Sequence, residues 1–106
     1  MARLLVVDDE QSIRNTLKDI LEHEGYTVDV AENGKEALKL LLDNIYDVVL
    51  SDIKMPQMDG MELLSAIQEK GIDTAVIMLS AHGNIETAVD ATKKGAFDFL
   101  EKPPDL

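Results

Sequence analysis

Three short runs of this sequence are apolar without interruption: Leu4-Leu5-Val6-Val7, Val48-Val49-Leu50 and Ala75-Val76-Ile77-Met78-Leu79. A strand carries such a run only when both of its faces are buried, the condition of a central strand in a parallel sheet. Between the runs, apolar residues recur at helical spacing. Ile13, Leu17, Ile20 and Leu21 make one stripe, and Ala37, Leu38, Leu41 and Leu42 a second. Leu63, Leu64 and Ile67 make a third, and Ile85, Ala88 and Val89 a fourth. Gly25, Gly71 and Gly95 stand where the first, third and fourth helices must stop. Asn33 with Glu36, and Asp59 with Glu62, have the spacing of an N-cap and its reciprocal partner. Thr27-Val28-Asp29-Val30 and Phe97-Asp98-Phe99-Leu100 alternate instead, as edge strands with one wet face do.

Strands alternating with helices predict an α/β fold, a parallel sheet with helices on both faces. Central first, third and fourth strands with second and fifth at the edges predict the doubly wound, flavodoxin-like order 2-1-3-4-5. In that order the chain reverses beside the first and third strands, and ligands bind above their carboxyl ends. Asp8, Asp9 and Asp52 all fall at that rim.

Composition narrows the class. One domain spanning 1–106 suits the 106 residues, and 45% hydrophobic content supplies a core. The net charge of -11 argues against direct nucleic-acid binding, which needs Lys and Arg for phosphates. There is no cysteine, so no disulfide framework and no thiolate metal site. No apolar run approaches the ~20 residues of a membrane span, and nothing resembles a signal peptide, so a cytoplasmic protein without a membrane partner is expected.

Three carboxylates at one rim repel; two unit charges at ~4 Å do so by roughly 4 kcal/mol at an effective dielectric near 20. A hard divalent cation is the natural compensation, and an all-oxygen set favours Mg²⁺. The bland alternative is that Asp8-Asp9-Glu10 only opens a helix, where acids suit the dipole. A carboxylate beside a cation also suits phosphoryl transfer, with Asp52 as the nucleophile. Ser80, at the end of the fourth strand, and Lys102, after the fifth strand, are candidates to hold the phosphoryl oxygens. Taken singly, Ser80 reads equally as a helix-entry cap and Lys102 as a surface lysine.

Leu5-Val6-Val7-Asp8-Asp9-Glu10, Ser51 to Gly60, Leu79-Ser80-Ala81, Phe99 and Lys102-Pro103, in this order, resemble the receiver domain of two-component response regulators. The resemblance implies a switch rather than an enzyme acting on other substrates. It implies Asp52 as phosphoacceptor and Asp8 and Asp9 as the acidic pair for Mg²⁺, with Asp9 the direct ligand and Lys54 adding its backbone carbonyl. Ser80 matches the switch hydroxyl and Phe99 the aromatic switch residue. Lys102 matches the family's lysine, with a cis bond to Pro103. The implied partners are a sensor histidine kinase and an output domain or a second receiver, met through the fourth helix and fifth strand. The stretch from Ser80 to Pro103 is similar to receivers of nitrogen-regulation-type (NtrC-like) transcription activators, and His82 borders the site as a candidate to tune phosphoryl hydrolysis. Receivers carry a fifth helix after the Lys-Pro turn. The sequence stops at Leu106, so a domain truncated before that helix, a piece of a longer chain, is expected; if the protein did end there, self-association over the bared sheet face would be expected.

Two other chemistries fit less well. A phosphatase of the haloacid dehalogenase class needs a second acid two residues after its nucleophile, where this chain has Lys54. A flavin module needs a Ser/Thr/Gly-rich phosphate loop where this chain has Asp8-Asp9-Glu10.

Overall fold

The computed structural model describes residues 2–81 and 85–102. Five strands form one parallel sheet: β1 (Arg3–Val7), β2 (Thr27–Ala31), β3 (Val48–Asp52), β4 (Ala75–Ser80) and β5 (Asp98–Glu101), in the order β2-β1-β3-β4-β5. Four helices connect them: α1 (Gln11–His23), α2 (Gly34–Asp43), α3 (Gly60–Glu69) and α4 (Ile85–Lys93). The expected order is the observed one. Val7 pairs with Ser51, and Asp52 with Leu79. These registers bring the ends of β1, β3 and β4 to one level, so Asp8, Asp52 and Ser80 emerge at the same rim.

The sheet separates two cores. Leu5, Val7, Val49, Val76 and Met78 face α2, α3 and α4, where they meet Leu41, Leu63, Leu64, Ile67 and Ala91. Leu4, Val6, Leu50 and Leu79 face α1 and its Leu17 and Leu21. Ile77 and Leu100, on the α1 side, are only partly buried. The three expected stop glycines have φ of 97°, 64° and 103°, the left-handed region. The Asp59–Glu62 capping box is complete, and Asn33 Oδ1 accepts from the Glu36 N–H at 2.8 Å.

The helix faces need correction. Leu63, Leu64 and Ile67 are buried as expected, but Ile20 is exposed beside buried Leu17 and Leu21, and Leu42 projects from α2. Each is one position round from the contact line, and an apolar stripe wider than that line spills into solvent. The largest departure is α4. Ile85 and Val89, expected in the core, are 85% and 46% exposed, and only Ala91 of this helix is buried. α4 lies against its sheet edge through a small side chain, which leaves Ile85, Val89 and the neighbouring Phe97 on the surface.

At the opposite end of the sheet a polar knot closes the fold. The Tyr46 hydroxyl donates to Asp29 Oδ2 at 2.6 Å. Arg3 Nη2 donates to the same oxygen at 2.8 Å and to Asn44 Oδ1 at 3.2 Å. The guanidinium also lies over the Tyr46 ring, 4.9 Å from its centroid. The Tyr46 hydrogen bond, and after it Arg3, hold the Asp29 carboxyl below its ordinary value against burial. Burial and Asp29 push Tyr46 up to about 12. A carboxyl with a depressed pKa stabilises the fold above its unfolded value and loses that contribution as pH falls through the folded one. Tyr46→Phe should therefore cost about 1 kcal/mol at neutral pH, the usual worth of such a bond after discounting for the partial exposure of Asp29. Urea denaturation at descending pH should show parent and variant converging through the acidic range; a gap that stays constant would remove Asp29 from the explanation.

A candidate phosphoacceptor site

Asp8 is 1% exposed and does two things at once. Its Oδ1 accepts from the Glu10 N–H at 2.9 Å, which closes the turn into α1. Its Oδ2 accepts from Lys102 Nζ at 2.5 Å. The helix-entry role and the site role of this acid are therefore compatible. Arg14, one turn into α1, donates to the Asp8 carbonyl at 2.7 Å and fixes its backbone.

Asp52, at the end of β3, is partly buried; its Oδ1 accepts from the Ile53 N–H at 2.8 Å, and its Oδ2 lies 3.3 Å from Lys102 Nζ. Burial raises the Asp52 pKa, and nearby Asp8 raises it further, against the pull of Lys102. Burial alone would lower Lys102, but its hydrogen bond to Asp8 and the charge of Asp52 leave it raised, so the ammonium is retained. Carboxylate oxygens of Asp8, Asp9 and Asp52 come within 4.8 Å of one another. This hard, all-oxygen set at an open rim fits a divalent cation such as Mg²⁺.

An open cleft of about 530 Å³ joins these groups, lined by Asp9, Asp52, Lys54, Ser80 and Lys102 among others. Five of the six residues expected to bind the ion or the phosphoryl group thus share one cleft, and the sixth, Asp8, is tied to it through Lys102. Phe99 stands apart, partly buried against the core under α2, α3 and α4. His82, and the bond from Lys102 to Pro103, lie outside the described residues. The cleft also includes Glu10 and Thr87, which sequence reasoning did not single out. Thr87 reaches it because α4 begins just beyond the rim; the short connection after Ser80 was the available signal.

The chain matches the response regulator receiver domain over residues 4–106. It belongs to that family. The receiver is 46% identical over 101 residues to the DNA-binding transcriptional regulator NtrC of Escherichia coli strain K12, covering 95% of this chain and 22% of that protein. It is 43% identical to the regulatory protein AtoC of the same strain over 104 residues, 98% of this chain and 23% of the relative. The receiver domain of the Francisella response regulator 1452 superposes with a TM-score of 0.94 at 39% identity, covering 99% of this chain and 87% of that one. The receiver thus spans about a quarter of the length of the curated relatives it matches.

The loop from Ile53 to Asp59 carries the receiver's strain. Gln57 and Met58 have φ of 48° and 78°, the described non-glycine residues in the left-handed region. Each costs on the order of 1 kcal/mol or more, so the surroundings must hold them there.

Proposed function

We propose that this receiver is a phosphorylation-controlled switch that accepts a phosphoryl group on Asp52 from a sensor histidine kinase, with Mg²⁺, and controls an output domain that regulates transcription. One observation carries the reading: a partly buried carboxylate, Asp52, shares an ammonium with Asp8 and an open cleft with Asp9, Ser80 and Lys102. A phosphoacceptor needs an attacking oxygen, a cation and donors for the product, and these groups are of those types.

Asp52 attacks the phosphorus of a phosphohistidine. An O–P bond forms, the P–N bond breaks, and the imidazole leaves with the electron pair. Mg²⁺ held by Asp9, Asp52 and the Lys54 carbonyl, with Asp8 beside them, would offset the charge on the phosphoryl oxygens. Lys102 follows the new anion with its ammonium, and the Ser80 hydroxyl donates to a phosphoryl oxygen. Drawing Ser80 inward shifts the start of α4 and repacks Phe99. The exposed Ile85, Val89 and Phe97 then form the surface whose altered shape a second receiver or the output domain meets. The protein acts on its own phosphoryl group rather than on separate substrates. A cytoplasmic location accords with a kinase partner; among the described residues no helix is long and apolar enough to cross a membrane.

Intact mass after incubation with acetyl phosphate and Mg²⁺ tests the reading. A single phosphoryl adduct is expected, lost on chelation before donor addition and absent from Asp52→Asn. No adduct on the parent would overturn it. The same variant has a second expected outcome. A carboxyl whose folded pKa is raised destabilises the fold once pH exceeds its unfolded value. Asp52→Asn should therefore melt higher than the metal-free parent at neutral pH, by roughly 4–8 °C per kcal/mol of relieved cost.

A further inference from the structure

The start of α2 is tied to the loop that follows Asp52. The Gly34 N–H donates to the Met58 carbonyl at 3.0 Å, and the Lys35 N–H to the Gln57 carbonyl at 3.1 Å. These amides open α2, and the first amides of a helix have no partner within it. The next one, Glu36 N–H, is held by the Asn33 side chain. So α2 divides its free donors: one to its own cap, two to the loop. The carbonyls they hold belong to Gln57 and Met58, the two strained residues. Gly34 must lack a side chain for this, because an added Cβ would overlap the Met58 carbonyl oxygen and sit 2.9 Å from Met58 Cγ. The other end of the loop is pinned where the Gly60 N–H donates to the Ile53 carbonyl at 2.7 Å. Between the two pins lies Lys54, which lines the cleft, and immediately before the pin at Ile53 is the Ile53 N–H, which orients Asp52.

We propose that Gly34 is a positioning residue for the phosphoacceptor site: it lets the N-terminal amides of α2 hold the Gln57–Met58 carbonyls, which keeps the strained loop in the shape that presents Asp52 and the Lys54 carbonyl to the cation. The inference rests on the function proposed above and adds an element, α2, that contributes no side chain to the cleft. Without the clamp, Gln57 and Met58 relax toward negative φ, and the backbone between Ile53 and Met58 moves with them.

The test is the Mg²⁺ dependence of the acetyl phosphate adduct, with Mg²⁺-induced thermal stabilisation as a second readout of binding. Gly34→Ala should raise the half-saturating Mg²⁺ concentration tenfold or more. Adding Met58→Gly to that variant, which removes the Cγ contact and makes positive φ free of strain, should recover at least threefold of the loss. Asn33→Ala weakens the helix start without touching the clamp; it should lower the melting temperature and leave the Mg²⁺ dependence within twofold. Hydrogen exchange on the parent serves should Gly34→Ala not fold. Because coupling between two sites is reciprocal, saturating Mg²⁺ should slow exchange of the Gly34 and Lys35 amides fivefold more than that of Glu36. Equal slowing of all three, or a Gly34→Ala dependence within twofold of the parent, overturns the inference alone. A parent with no Mg²⁺-dependent adduct overturns the phosphoacceptor function and this inference with it.

Discussion

Lys102→Met should lower the unfolding free energy of the metal-free protein by about 3–5 kcal/mol, the cost of removing one partner from a buried ion pair. That is a large share of the ~5–15 kcal/mol that holds a domain of this kind together. Lys102 is the cation shared by Asp8 and Asp52, and both Lys102 and Asp8 are largely sealed from water. Without it, two carboxylates face each other with Asp9 nearby. The pH signs separate parent from variant. A lysine whose folded pKa is raised contributes fully below its unfolded value, so the parent keeps this contribution at neutral pH and loses it only in the alkaline range. The Met variant gains stability relative to the parent as pH falls, because Asp52, already raised by burial and by Asp8, loses the opposing pull of Lys102. Added Mg²⁺ should restore part of the loss by binding only the folded form. Denaturant titration at neutral and mildly acidic pH, with and without Mg²⁺, measures all of this. A loss under ~1 kcal/mol, the level of an exposed pair, would show that Lys102 is not what makes the cluster tolerable.

Gly60→Ala is expected to be as damaging for a steric reason. An added Cβ would overlap the Asp52 carbonyl oxygen and lie 3.0 Å from Ile53 Cα. Both are backbone atoms, one in the sheet and one in the loop, so neither can rotate away. Alanine's better helix propensity favours the change by only ~1 kcal/mol. Overpacking costs ~1–3 kcal/mol where side chains can yield, so a net loss near or above ~3 kcal/mol is expected here. Gly71→Ala is the comparison. Its φ is 64° but nothing lies within 4 Å of an added Cβ, so only the backbone term remains, ~1–2 kcal/mol. Urea midpoints that rank Gly71→Ala as the worse variant would refute the close approach of α3 to the Asp52–Ile53 peptide. The Gly60 variant should also lose adduct formation out of proportion to its stability.

What could be foreseen and what could not divides by the kind of signal. The strand order followed from burial texture: Val49 and Val76 sit in runs that only a two-sided core explains, whereas Val28 alternates with Asp29. The rim acids followed from that order. Ile85 and Val89 misled because periodicity reports an apolar stripe and not what lies opposite it; the sheet offers α4 only a shallow seat. Tyr46 and Arg3 escaped notice because their partnership is polar and joins segments distant in sequence. The clamp at Gly34 left no trace in periodicity or motif, being a contact between two stretches of backbone.

That shallow seat bears on how finely balanced such a switch is. Turning a two-state equilibrium from 1:99 to 99:1 takes about 5.5 kcal/mol of differential interaction. A helix anchored as α3 is, by Leu63, Leu64 and Ile67, would set a gap larger than one modified side chain can close. α4 buries only Ala91, and its rest position is correspondingly weakly favoured. Under the proposed function a small gap predicts leakiness: a fraction of unmodified molecules should sample the shifted arrangement, and single substitutions along α4 should bias the resting population in either direction without touching Asp52.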